Sequence, residues 1–266
     1  SDFLSELVET TIGDLERSRC VAVAQGDEEP SSSTDPTAVS PLNLGIVAAY
    51  YGLSYSTVEL FSASVTERTK LRGLIEVICA ASEFGSLVPV RHHEEAALRR
   101  IAQHLPVKIV AASSSSTQAP SFKDPHVKAN VLLQAHLMRR ALPSTDLAAD
   151  QAIVVENSPR LVQALVDVVS SCGWLEPAIA AMELAQLITQ ATWDAAPTPS
   201  ARAPASYATA WCALRQLPHL TDEAILKCAE RGVESVFDLA EIEDSVRKEA
   251  LGGLTARQLR DVAAVC

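Results

Sequence analysis

Apolar and polar positions recur at helical spacing along most of this chain. In residues 2–17, Phe3, Leu4, Leu7, Val8, Ile12 and Leu15 share one face, the i, i+3, i+4, i+7 pattern of an amphipathic helix. Residues 20–24, CVAVA, alternate too briefly to decide between strand and coil. Asn43 can cap a helix running to about Tyr50, and Ser56 or Thr57 another to about Val65. Leu71, Leu74, Ile75, Ile78 and Cys79 make a third, ending near Gly85. After Pro89, residues 92–104 form a fourth, with Leu98 and Ile101 inward.

The segment FKDPHVKANVLLQAHLMRRAL (122–142) has the sharpest start signal: Asp124 as cap and Pro125 at the first helical position, where its missing N–H costs nothing. Val127, Val131, Ala135, Met138 and Leu142 fall on one stripe, and Lys123, Lys128, Arg139 and Arg140 lie off it. That spacing predicts an amphipathic helix with a basic outer face. From Thr145 to Ser171 runs a long helical pattern carrying Leu147, Ile153, Val154, Leu161, Leu165, Val168 and Val169. Pro159 falls inside it, which predicts a kink or a break. Cys172-Gly173 closes this helix, and Pro177 opens another that reaches Trp193.

The last sixty residues change character. Ser235-x-x-Asp238 and Thr255-x-x-Gln258 both fit a capping box, Gly232 fits the end of a 221–231 helix, and Gly252-Gly253 fits a tight turn. Short capped helices between glycine turns suggest a helix-hairpin-helix-like domain. Three stretches lack periodicity and are rich in Pro, Ser and Ala: 25–41, 111–121 and 195–206. The expected fold is therefore all-α: a multi-helix bundle followed by a small helix-loop-helix domain. The expected boundaries are a leading segment at 1–25, a linker at 26–41, the bundle at 42–194, a linker at 195–206 and the helix-loop-helix domain at 207–266.

Composition narrows the class of function. The chain has 266 residues, 48% of them hydrophobic, enough for a sizeable core and too apolar for general disorder. No apolar run approaches the ~20 residues of a membrane span. The acidic, amphipathic start is unlike a signal peptide and reads as a segment beginning mid-domain. Six cysteines without CxxC spacing predict reduced thiols, not a zinc site or disulfide framework. The net charge of −11 is unevenly spread: −8 over 1–65, +5 over 66–142, −5 over 143–206 and −3 over 207–266. Nucleic-acid affinity depends on neutralised phosphates, so only 66–142 offers an electrostatic footing for RNA.

Catalytic chemistry is scarce. The sequence contains no GxxxxGK[ST] loop and no DExH box. His92-His93-Glu94-Glu95 lacks the HExxH spacing of a zinc helix, and a helix start with acids in its first turn explains the two glutamates. His126 and His136, ten positions apart, do not share a face. No metal site and no cofactor are expected.

Several segments together, GLIEVICAASEF (73–84), RHHEE (91–95), the 122–142 helix, LNLGIVAAYYGLSYSTVELFS (42–62), SSCGWLEPAIAAMELAQLITQATW (170–193) and LRQLPHLTDEAILKCAERGVESVFDLAEIED (214–244), resemble the Sec-sixty-three homology unit of Ski-two-like RNA helicases. GVESVFDLAEIED and the GLIEV–RHHEE pair are most similar to the spliceosomal branch, in the unit following its C-terminal helicase cassette. The branch belonging to the activating-signal-cointegrator complex shares the bundle pattern. The resemblance implies that residues 1–25 are the tail of a winged-helix domain. It also implies a nuclear protein of pre-mRNA splicing, and a non-catalytic, protein-binding unit of an enzyme that unwinds small nuclear RNA duplexes with ATP. The partners it implies are the preceding helicase cassette of the same polypeptide and other spliceosomal proteins.

The same resemblance places SPRLVQALVDVVSSCGW (158–174) where the family has a helix touching the translocated strand, which makes Arg160 an RNA-contact candidate alongside Lys123, Lys128, Arg139 and Arg140. A single guanidinium flanked by Glu156 and Asp167 is a meagre track for a polyanion. The alternative of a single-stranded-RNA-binding module built on 66–142 and Arg160 stays open at this stage, as does the cointegrator branch. Gly252-Gly253-Leu254-Thr255 offers a phosphate-binding type of turn, opposed by Glu241, Glu243, Asp244 and Glu249.

Overall fold

The computed structural model describes residues 2–24, 38–109, 120–193 and 204–266. Among them are fourteen helices and one two-stranded antiparallel sheet, so the fold class is all-α. Most of the expected linker residues, 26–37, 111–119 and 195–203, lie outside the described residues. The chain divides into two compact units, Ser1–His136 with Arg140–Thr189, and Leu137–Arg139 with Gln190–Cys266.

The first unit opens with α1 (Asp2–Arg17). Its predicted stripe forms, but Phe3, Leu4, Leu7 and Val8 remain exposed. Strand β1 (Val21–Ala24) then pairs with β2 (Ala38–Pro41), which brings residues expected in the linker into a sheet. Two short strands separated by thirteen residues carry no local signal of their pairing, which explains why 20–24 was undecidable alone. Helix α2 (Asn43–Tyr51) sits hard against this hairpin: a Cβ at Gly45 would fall 2.1 Å from the Cys20 carbonyl oxygen, so only glycine fits. Gly52, at φ +61°, ends α2 in the left-handed conformation.

Helix α3 (Tyr55–Ser64) is capped by Ser54, not by Ser56 or Thr57. The third predicted helix is two: α4 (Leu71–Cys79) and α5 (Ser82–Leu87). The Thr57 hydroxyl, donating to Glu83 at 2.6 Å and accepting from the Ser82 N–H at 3.0 Å, fixes the start of α5 against α3. Then come α6 (Glu94–Ala102), α7 (Pro125–Leu137), α8 (Thr145–Ser171) and α9 (Leu175–Gln190).

Helix α7 begins as expected, with the Asp124 carboxylate accepting from the His126 N–H at 2.9 Å. Beyond that it departs from the amphipathic reading. Every residue from Val127 to Ala135 is buried, polar ones included, so α7 is surrounded and has no basic outer face. It stops at Leu137, five residues before the predicted end, with Arg139 at φ +48°. Helix α8 runs unbroken through Pro159. The turn before the proline carries two additional bonds, from the Asn157 amide to the Ile153 carbonyl at 2.8 Å and from the Ser158 hydroxyl to the Val154 carbonyl at 2.7 Å.

The second unit holds α10 (Tyr207–Leu214), α11 (Asp222–Glu230), α12 (Val236–Glu241), α13 (Asp244–Ala250) and α14 (Ala256–Val265). Both capping boxes form as the sequence indicates, at Ser235/Asp238 and Thr255/Gln258. Tyr207, Trp211, Leu214, Leu217, Leu220, Ile225, Leu239, Leu251 and Val262 belong to one buried cluster. The indole N–H of Trp211 donates to Asp222 at 3.0 Å, so this tryptophan serves the core.

Candidate functional site

A dense cluster of charge in the first unit centres on a buried pair, Lys128 and Asp150, with Glu94 partly buried and Arg91 exposed at its edge. Lys128, on α7, has no exposed side-chain surface and donates to Asp150 on α8 at 2.6 Å, to Glu94 at the start of α6 at 2.6 Å, and to the Pro89 carbonyl at 2.8 Å. Arg91 completes the group, its guanidinium forking onto both oxygens of Asp150, one at 3.0 Å, and reaching Glu94 at 3.1 Å. Two cations and two carboxylates therefore neutralise each other where three helices meet.

Burial pushes the Asp150 carboxyl up, but hydrogen bonds from Arg91 and Lys128 outweigh it and hold the group below its ordinary range. Glu94 follows the same balance, with burial opposed by Lys128, the Arg91 backbone N–H and the Arg91 side chain. Hydrogen bonds to Asp150 and Glu94 in turn raise Arg91. Such a set has no free proton acceptor and no open coordination position; its chemistry is structural.

The basic residues singled out in the sequence do not share a surface. Lys128 is enclosed and cannot reach a phosphate, contrary to its expected place on an outer face. Arg139 points its guanidinium at three backbone carbonyls, Ala191 at 2.9 Å, Gln190 at 2.9 Å and Leu217 at 3.3 Å, all within the second unit. Burial and the neighbouring Arg215 lower its pKa. Lys123 is exposed and lies 3.6 Å from Glu95, and Arg140 is exposed. Arg160, half-buried on α8, donates to Asn157 at 3.1 Å and to the Gly52 carbonyl at 3.5 Å. Beside it on α8, Asp167 accepts from the Tyr51 phenol at 2.7 Å, which pushes that phenol up to about 12.

The histidines are absorbed structurally as well. His126 hydrogen-bonds the Cys79 carbonyl at 3.2 Å and His136 the Ile188 carbonyl at 2.8 Å. His92 and His93 stack edge-on at 4.0 Å between ring centroids, and His93 occupies the position before α6 at φ +70°. Among the described residues no group of His, Cys, Asp and Glu side chains could hold a metal ion. A cleft of about 530 Å³ opens beside α4 and α7, lined in part by Leu60, Glu76, Cys79 and His126. Burial pushes both the Glu76 carboxyl and the Cys79 thiol up, and a thiol so raised is a poor nucleophile.

Sequence reasoning missed the Lys128–Asp150–Glu94–Arg91 cluster. Asp150 lies three residues after Leu147 and four before Val154, on the apolar face of α8, and a carboxylate there signals a buried cation elsewhere. The partner itself was out of local view, 22 residues away.

Comparison with known proteins places this architecture. The family model described as the Sec63 Brl domain matches residues 41–240. The human protein named U5 small nuclear ribonucleoprotein 200 kDa helicase is 48% identical over 266 residues, covering 100% of this chain and 11% of the human protein. Its Drosophila melanogaster counterpart is 46% identical over the same length and share. A Dictyostelium discoideum protein named Activating signal cointegrator 1 complex subunit 3-like is 43% identical over 251 residues, 94% of this chain and 10% of that protein. The chain thus spans about a tenth of the length of these relatives. Among the described residues no helix is long and apolar enough to cross a membrane.

Proposed function

The chain belongs to the Sec63 Brl domain family, and from that premise we propose that it is a non-catalytic, protein-binding accessory unit of an ATP-dependent RNA helicase that unwinds small nuclear RNA duplexes in nuclear pre-mRNA splicing. The observation that carries the non-catalytic, protein-facing part is the fate of the cations. Lys128 and Arg139 are committed to internal partners, and Lys123 stands beside Glu95. Of the five residues put forward as RNA contacts, that leaves Arg140 and the partly engaged Arg160 for a phosphate chain, on a molecule of net charge −11. Such a surface favours protein partners, among them a helicase cassette of the same polypeptide and other spliceosomal proteins. The identities of 44–48% to the proteins named as U5 helicases, against 43% to the cointegrator-type protein, lean towards the spliceosomal branch.

The test is a salt titration of the chain with labelled single-stranded RNA, alongside an ATPase assay. No turnover, and no RNA binding at physiological salt, are the expected results. Micromolar or tighter binding with a steep salt slope, abolished by Arg160→Ala, would replace this reading with an RNA-binding module.

A further inference from the structure

Helix α9 is apolar on two sides. Pro177, Ala178, Ala181, Leu184 and Ile188 face its own bundle and are buried. Leu175, Ile179 and Met182 face away and are 72%, 46% and 51% exposed. A cluster of large apolar side chains on the outer side of a helix marks an interaction surface more often than a solvent-facing one, and here it is bare.

The bare face has a definite register. Leu175, Ile179 and Met182 follow one another at spacings of four and three, the d, a, d steps of a coiled-coil seam, and Gln186 falls at the next a. In that register Glu176 and Glu183 both occupy e, the flanking position that selects a partner by charge, while Ala178 and Ala185 occupy g. Helix α9 holds no Lys, Arg or His, and among the described residues neither glutamate takes part in an ion pair.

We propose that this face of α9 docks an amphipathic helix of a partner protein, one with an apolar a/d seam and Lys or Arg on the flank that meets Glu176 and Glu183. The proposal rests on the protein-binding reading above and gives it a surface. The acidic flank disfavours the other occupants. RNA would set its phosphates against two unpaired carboxylates. In an antiparallel pairing with a second copy, e meets e and the glutamates face each other; in a parallel one they meet only alanine. Basic side chains complement the row in either orientation, and Met182 adapts to the knob that enters beside it.

The test uses two synthetic three-heptad helices that share Leu at a and d and differ only in carrying Lys or Glu at e and g. Titrated into the full 266-residue chain and read by fluorescence anisotropy, the Lys helix should bind about tenfold or more tighter than its Glu twin. Ile179→Asp should abolish that binding, and Glu176→Lys with Glu183→Lys should invert the preference. All three side chains are exposed, so an unchanged melting curve verifies that the variants fold. Equal affinity for the two helices, or binding indifferent to Ile179→Asp, overturns the proposal. So does a dimer of the unmodified chain in sedimentation that Ile179→Asp dissolves, because the face then serves self-association. Failure of the helices in a chain that ignores single-stranded RNA sinks the α9 assignment alone, whereas RNA binding would count against the accessory-unit reading.

Discussion

The Lys128 ammonium and the Asp150 carboxylate meet at 2.6 Å with the lysine fully enclosed and the aspartate nearly so. The pair joins α7 to α8, and its connections to Glu94 and Arg91 bring the start of α6 to the same point. Desolvating such charges is expensive, and the geometry offsets the expense only because every member is bonded. The arrangement therefore specifies how three helices meet more than it adds net stability.

Removing one member should be costly. Lys128→Met leaves Asp150 and Glu94 facing each other with only Arg91 between them, and should lower unfolding free energy by about 3–5 kcal/mol. Urea denaturation with circular dichroism reads this directly. A loss under about 1 kcal/mol would mean that water or side-chain rearrangement solvates the carboxylates, and that the enclosure of Lys128 is not maintained in solution.

The same cluster gives the first unit an acid-sensitive stability. Asp150 and Glu94 have folded-state pKa values below their ordinary ones, so their contribution is complete above the unfolded-state values and disappears as pH falls through the folded ones. Stability of the unmodified chain should decline from about pH 4–5 downward. Asp150→Asn should be less stable at neutral pH and show a shallower slope in that acid window, measured by urea midpoints across pH. Parallel slopes for the two proteins would place the acid response elsewhere.

Three caps were readable, while those of α2 and α3 and the long-range partners were not: α2 begins after Leu42 without the expected Asn43 cap, and Ser54 caps α3. Asp124 with Pro125, Ser235 with Asp238 and Thr255 with Gln258 are local signals, and all three appear in the structure as helix starts. Helix α7 misled because its polar residues are satisfied at long range: Lys128 by Glu94, 34 residues away, and Gln134 by both backbone groups of Val107, 27 away. Within the segment alone, a buried lysine and a solvated one look alike. The strand pair at 21–24 and 38–41 was hidden for the same reason. The bare seam of α9 lay in plain sight as Leu175, Ile179 and Met182, but exposure is decided by what the rest of the chain fails to cover.

In the second unit, Leu217 is 1% exposed within the cluster that includes Trp211, Leu214, Leu220 and Ile225. Leu217→Asp strands a charge in that apolar site and should destabilise the unit by several kcal/mol, seen as a lowered melting temperature with loss of near-ultraviolet signal from Trp211. An unchanged melting temperature would show that the cluster opens at Leu217.

Arg139 and Arg140 are neighbours in sequence with opposite roles, which the idea of a shared basic face conceals. Arg140 is exposed, and its side chain forms none of the ion pairs found among the described residues. Arg139 adopts φ +48° and spends three donors on the carbonyls of Gln190, Ala191 and Leu217. Truncating it leaves those carbonyls without the donor that meets them, so Arg139→Ala should lose about 1–3 kcal/mol. Arg139→Lys should recover little of that, because one ammonium cannot reproduce the planar fork. Arg140→Glu should stay within about 0.5 kcal/mol of the unmodified chain, and any change it makes in a binding assay then reports on the surface. Differential scanning fluorimetry of the three single variants checks the split. If Arg140→Glu were as damaging as Arg139→Ala, the two residues would act as one structural element, and charge reversal at either could not be used to map a partner.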